Sequence, residues 1–156
     1  METKRIISVT VINEHGVLSR ISGLFAGRGY NIESLTVAPI PDSELSRITI
    51  ATSGDSRVLE QIIKQLHKLI PVLTVVEHNE MIEKEMAMVK LPLESNLADL
   101  EALARAYHGE IVSATDKHVI IMAMDNPTRL THFLTALKRF NPKDIVRSGI
   151  VAIERI

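Results

Sequence analysis

From Arg5 to Ile12 β-branched residues dominate, and strand alternation puts Ile7, Val9 and Val11 on one face and Ile6, Ser8, Thr10 and Ile12 on the other. The run breaks at Asn13-Glu14-His15-Gly16. Val17, Leu18, Ile21, Leu24 and Phe25 then recur at three- and four-residue spacing, which predicts an amphipathic helix. Gly27 and Gly29 bracket its end, and Gly29 suits a left-handed cap. A second strand is predicted over Asn31–Ala38, a turn at Pro39, Pro41, Asp42 and Ser43, and a third strand over Leu45–Thr52 as hairpin partner. Gly54-Asp55-Ser56 opens another helix with Val58, Leu59, Ile62, Ile63, Leu66 and Leu69 inward. Pro71 stops it, and Val72–Glu77 gives a fourth strand. The order is β-α-β-β-α-β, the ferredoxin-like arrangement.

The second half repeats the order. A strand is predicted over Met86–Leu91, then a helix over Asn96–Tyr107 with Leu97, Leu100, Leu103 and Ala104 inward. Asn96 and Asp99 have capping-box-like spacing, and Gly109 can close this helix. Strands follow at Glu110–Ala114 and His118–Met124 around the turn Thr115-Asp116-Lys117. Asn126-Pro127 is a strong helix start, since Asn accepts from an unpaired amide and Pro gives up a donor that has no partner there. Leu130, Phe133, Leu134 and Leu137 form its buried stripe, Asn141-Pro142 ends it, and a last strand is predicted over Ile145–Ile153. The fold class is therefore α+β, two consecutive ferredoxin-like units over 1–78 and 79–156. The boundary falls in the polar stretch His78–Glu85, interrupted by Met81 and Ile82. Residue identity between the halves is low, so the repeat is architectural. Helices on one side of a four-stranded sheet leave its other face uncovered, which a second sheet or a partner could cover.

Composition narrows the chemistry. The 156 residues are 46% hydrophobic, enough for two small cores that lean on each other or on a partner. Residues 1–78 carry 8 basic and 8 acidic side chains, and the remainder 10 and 11, so neither half has the basic footprint of a nucleic-acid binder. No cysteine is present, which fits a reducing compartment. The start METKRIISVTVINEHG lacks a signal peptide's apolar run and cleavage site, and no apolar stretch reaches the ~20 residues of a membrane helix. The expectation is a cytoplasmic chain that engages neither membrane nor nucleic acid.

Enzymatic motifs are missing. The histidines at 15, 67, 78, 108, 118 and 132 form no HExxH, and no metal site is expected. Ser22-Gly23 and Ser53-Gly54 lack a nucleophile elbow. Gly27-Arg28-Gly29 follows a helix instead of preceding one and lacks the Lys-Ser/Thr of a phosphate loop. Glu14 and Glu33 carry no acid–base signature and suit surface or supporting roles. RNA-binding modules share the fold but stack bases on strand aromatics. Here Phe25, Phe133 and Phe140 fall on or beside helices, and Tyr30 and Tyr107 at helix ends. What remains is Asn13-Glu14-His15-Gly16. Unpaired amides at a helix start can seat a carboxylate, Gly16 permits close approach, and the Asn13 carboxamide can accept from an ammonium group. The simpler reading is that Asn13 forms a local turn and Gly16 relieves strain; sequence physics leaves both open.

The run NEHGVLSRISGLFAGRGYNIESLTVAP, Asn13 to Pro39, resembles the amino-terminal ACT domain of acetohydroxyacid (acetolactate) synthase small regulatory subunits. LSRITI at 45–50 and VLEQIIKQLHKLIPV at 58–72 look like the same family. MVKL at 88–91 and RSGIVAIER at 147–155 resemble its carboxy-terminal regulatory domain. The resemblance implies a non-catalytic chain that activates a catalytic large subunit and confers feedback inhibition by a branched-chain amino acid, commonly valine. Thiamine diphosphate, FAD and magnesium would belong to the large subunit, with no cofactor in this chain. It also implies a homodimer through ACT domains, with the effector at their interface. Carried over by position, Asn13, Gly16 and Val17 receive the amino-acid backbone, and Asn31 and Ile32 approach from the neighbouring protomer. Glu14, His15 and Glu33 are candidates for the surrounding layer; His15 departs from the small residue typical of this loop. One methylene in an apolar pocket is worth only ~1–3 kcal/mol, so the loop does not choose among valine, leucine and isoleucine. A free-standing amino-acid sensor or interaction module with a different partner is the competing expectation.

Overall fold

The computed structural model describes residues 3–77, 80–93 and 96–155; His78 and Asn79 of the anticipated boundary lie outside them. Two compact units form, Met1–Ile82 with Ala152–Ile156, and Glu83–Val151.

In the amino-terminal unit the order is β1 (Thr3–Ile12), α1 (Val17–Gly27), β2 (Asn31–Pro39), β3 (Leu45–Gly54), α2 (Ser56–Lys68) and β4 (Val72–Val76). The antiparallel sheet runs β2-β3-β1-β4, so β2 and β4 are its edges. Strand alternation delivers Ile7, Val9, Val11, Ile48 and Ile50 to the helix side, where they meet Val17, Ile21 and Phe25 of α1 and Leu59, Ile62 and Leu66 of α2. Asp55 caps α2 by accepting from the Arg57 amide at 2.8 Å. Leu18, placed on the α1 stripe by spacing, is instead exposed. The stripe narrows to the i, i+4, i+8 row of Val17, Ile21 and Phe25. The opposite sheet face also departs from expectation, since Ser8, Thr49 and Ala51 on it are buried rather than uncovered.

The carboxy-terminal sheet holds β5 (Met81–Pro92), β6 (Gly109–Ala114), β7 (His118–Asp125) and β8 (Asp144–Arg147), in the order β6-β7-β5-β8. Helices α3 (Leu97–Ala106) and α4 (Pro127–Leu137) supply Leu100, Ala104, Leu130, Phe133 and Leu137 to a core with Ala87, Val89, Leu91, Val119, Ile121 and Ala123. Asn96 accepts from the Ala98 amide at 3.0 Å, and Asn126 from the Arg129 amide at 2.9 Å, so both anticipated caps are in place. Leu97 is exposed, because it stands at the first helical position, ahead of the buried Leu100–Ala104 row.

Three boundaries moved. The expected last strand divides into β8 and β9 (Val151–Glu154), which also pairs with β5. Gly149 at φ +87° turns the backbone between them, and the Ser148 hydroxyl accepts from the Met86 amide at 3.0 Å. β5 starts at Met81 rather than Met86, since Arg155 donates to the Glu80 carbonyl and extends the ladder into the polar stretch. The left-handed residue after α3 is His108 at φ +58°, not Gly109. Gly109 serves close packing instead, as a Cβ there would lie 2.9 Å from the Met122 carbonyl oxygen.

Two buried carboxylates face each other in this unit. Glu85 pairs with Asp125 across β5 and β7, and only 5% and 2% of their surfaces are exposed. Arg147 meets Glu85 through two bonds, Nε to Oε1 at 2.9 Å and Nη2 to Oε2 at 2.8 Å. Arg129 donates from Nε to Asp125 at 2.8 Å and from Nη2 to the Ala106 carbonyl at 2.9 Å. Burial raises the Asp125 pKa, but the Arg129 hydrogen bond, the Asn126 amide and the charges of Arg129 and His108 outweigh it. Its carboxyl therefore sits below the ordinary value of 3.8.

Arg147→Met strips Glu85 of its forked partner and should lower the stability of this unit by about 2–3 kcal/mol, below a fully buried pair because Arg147 is partly exposed. Hydrogen exchange at β5 and β8 amides reads the loss. A carboxyl with a lowered folded pKa stabilises fully above its unfolded value and loses that contribution as pH falls through the folded one. The stability gap between the native chain and Asp125→Asn should therefore be constant above pH 3.8 plus a margin and shrink below it, in urea unfolding followed against pH.

Candidate functional site

β1 ends at Ile12, and the next residues are held by backbone alone: the Asn13 amide donates to the Glu44 carbonyl at 3.1 Å and the Glu14 amide to the Ile12 carbonyl at 2.9 Å. Gly16 adopts φ +82°, a left-handed turn that costs other residues steric strain, and its carbonyl accepts from the Arg20 amide at 3.0 Å. No side chain caps α1. Among the described residues, the amides of Val17, Leu18 and Ser19 therefore meet no protein acceptor. They point their partial positive charge out of the helix mouth, an arrangement suited to a carboxylate. Val17 is buried in the core and anchors this mouth, while Asn13, Glu14, His15 and Gly16 are exposed.

The second cluster of anticipated residues starts β2. Asn31 is exposed, and its carbonyl accepts from the fully buried Thr52 hydroxyl at 2.7 Å. Ile32 packs against the core. Between Ile32 and Ser34 the β2–β3 register shifts, so Glu33 is the extra residue of a bulge, which re-aims a side chain at a sheet edge. Glu33 accepts from the Ser53 hydroxyl at 2.8 Å, with Lys4 Nζ at 3.9 Å.

The same place holds a polar cleft that sequence reasoning missed. About 360 Å³ in volume, it is lined by Arg28, Tyr30, Asn31, Ser53, Asp55 and Val58, among others. The Tyr30 hydroxyl donates to the Asp55 carbonyl, and its ring fills the space over Gly54. Two chain segments, 28–31 and 53–58, converge here. The one sequence clue was a glycine directly before the Asp55 cap.

Within one chain the two clusters do not meet. Pairing sets Ile12 against Leu45 and Lys4 against Ser53, while Asn31 also lies against Ser53 and Pro39 against Ser46. Asn13 and Asn31 thus occupy opposite ends of the sheet, separated by the length of β3 from Leu45 to Ser53, about 27 Å at ~3.4 Å per residue. Among the described residues no group of three or more His, Asp or Glu side chains could hold a metal ion. None of the described helices is long and apolar enough to cross a membrane.

Residues 7–74 match the family model described as "AHAS small subunit-like ACT domain", and residues 84–156 match "Small subunit of acetolactate synthase". The chain is 44% identical to the acetolactate synthase small subunit of Haemophilus influenzae over 97% of this chain and 96% of that one. It is 42% identical to the acetolactate synthase isozyme 3 small subunit of Salmonella typhimurium, over 97% and 96%. The chain belongs to the acetolactate synthase small-subunit family. The crystal structure of the small subunit from Thermotoga maritima superposes with a TM-score of 0.89 at 31% identity, covering 99% of this chain and 98% of that one. Membership makes the chain a regulatory, non-catalytic subunit with a ligand-binding amino-terminal ACT domain, and both units are of the βαββαβ type.

Gly54→Ala tests the packing behind the start of β2. Its Cβ would come within 2.6 Å of the Tyr30 ring, so the ring must leave its seat. A loss of about 1–3 kcal/mol is expected from overpacking. Thermal unfolding measures it, and Tyr30→Ala combined with Gly54→Ala should cost less than the sum of the two single changes.

Proposed function

We propose that this small subunit raises the activity of an acetolactate synthase large subunit and confers feedback inhibition by a branched-chain amino acid, valine or a close relative. The effector sits between two ACT domains of a homodimer. Its carboxylate is received by the Val17, Leu18 and Ser19 amides beside Asn13 and Gly16, and its other side meets Asn31 and Ile32 of the partner copy. Thiamine diphosphate, FAD and magnesium belong to the large subunit, and the assembly works in the cytoplasm. A chain without cysteine suits that compartment.

The observation that carries the reading is the register. Asn13 and Asn31 lie at opposite ends of one sheet, and β2 is an edge strand. If two β2 edges pair antiparallel about a two-fold axis, Asn31 of one copy comes to the Pro39 end of the other. Pro39 pairs with Ser46, one strand from the Ile12–Asn13 corner. Symmetry then builds the site twice. Regulation requires that the amino acid bind one packing state of this dimer more tightly than another; coupling of ~1–3 kcal/mol is the usual scale. Glu33, held by Ser53, and the exposed Glu14 and His15 flank the crevice and tune its charge.

Reconstitution with the large subunit should give faster acetolactate formation that valine inhibits. In Asn13→Ala and Gly16→Asp variants stimulation should persist while inhibition weakens ten-fold or more in valine concentration. Inhibition unchanged in both would remove the site, and absence of stimulation in the native pair would remove the partner. Mixing Asn13→Ala with Asn31→Ala chains provides a separate check. A site shared between copies predicts that mixed dimers regain one intact site and part of the response, whereas a site within one chain predicts no rescue.

A further inference from the structure

The face of the amino-terminal sheet away from its helices is rich in hydroxyl groups. Cross-strand pairing aligns Thr74, Thr10 and Arg47 in one row and Val76, Ser8, Thr49 and Thr36 in the next. Over these rows lies an open cleft of about 300 Å³, lined by Ser8, Thr10, Arg47 and Thr74 on the sheet and bordered by residues that include Met81, Ile153 and Glu154. All of its lining belongs to the amino-terminal unit, of which Ala152–Ile156 are part. Ser8 is more than nine-tenths buried. Among the described residues, neither the Ser8, Thr10 and Thr74 hydroxyls nor the Arg47 guanidinium meets a protein partner.

We propose that this cleft is a second small-molecule site, distinct from the helix-mouth crevice, that takes a zwitterionic α-amino acid with a small apolar side chain. Arg47 offers paired N–H donors in carboxylate geometry, and the Thr10 and Thr74 hydroxyls in the same row donate to the same oxygens. Glu154 supplies the opposite charge on the bordering segment and accepts from the ammonium group. A carboxylate has about four acceptor positions, so its existing contact leaves room for another. Val76, Met81 and Ile153 form the apolar wall. The volume is at the small end of ligand pockets, which suits a ligand of amino-acid size.

The site is independent of the reading of the helix mouth. L-valine is the probe, added to the ¹⁵N-labelled full chain carrying Asn13→Ala and Gly16→Asp. Saturable shifts are expected at the amides of Thr74, Val76 and Ile153. Arg47→Met should weaken the response about ten-fold or more, as befits hydrogen bonds to a charged group, and Glu154→Gln should weaken it by a smaller factor. Acetate and isobutylamine, each carrying one of the two charges, should bind far more weakly. Shifts confined to residues 13–19 and 31–33 of the native chain would overturn the second site while leaving the first. Shifts at Thr74 and Ile153 that survive Arg47→Met would overturn the zwitterion assignment. Because Arg47 is exposed, a matched melting temperature for Arg47→Met separates lost binding from lost fold.

Discussion

The backbone ladder between β1 and β3 determines where every functional group of the amino-terminal unit can be. Its register, Ile12 against Leu45 at one end and Lys4 against Ser53 at the other, carries β2 along with it, because β2 reads its position from β3. A slip of one residue would exchange the two faces of β1, exposing Ile7, Val9 and Val11 and burying Thr10 among the helices. The apolar face therefore enforces the register, and the register separates the helix mouth from the start of β2. Core packing and the geometry of the proposed effector site are two results of one pairing.

Much of this was legible in the chain because the signals were periodic. Two-residue alternation and three- to four-residue stripes gave the element order of both units, and Asn126-Pro127 and Asp55 announced their helices through side chains that accept from free amides. The split of the last strand was hidden. Ile145 to Ile153 reads as one apolar run, and the interruption is made by a glycine at φ +87° and a serine hydroxyl that replaces a ladder bond. The exposure of Leu18 and Leu97 shows the same limit, since period marks a face but not how far the neighbouring layer reaches over it.

The candidate site was legible by halves. Free amides at Val17, Leu18 and Ser19 follow from a helix start with no side-chain cap. Asn31 and Ile32 carried no such signal and entered through family resemblance, because within one chain they lie at the opposite end of the sheet from Asn13. The Arg28–Tyr30–Asp55 cleft depends on two distant segments converging, and the hydroxyl rows on the outer face on which strands are neighbours; neither is written in local spacing. In the carboxy-terminal unit the facing of Glu85 and Asp125 is likewise a product of register, and each acid is tied to an arginine that also bonds a helical hydroxyl or the chain end of a helix. These charges join helices to the sheet at specified points, where apolar contacts alone would permit sliding.

The bulge at Glu33 has a counterpart in β6, where the register shifts between Ile111 and Ser113, again on an edge strand. A bulge twists and interrupts a ladder. On β2 the uninterrupted edge is reduced to Ser34–Pro39, ending in a residue with no amide hydrogen to give, and on β6 the bulge leaves Gly109–Ile111 on one side and Ser113–Ala114 on the other. An extended segment meeting either edge can therefore continue a regular ladder on only one side of its bulge.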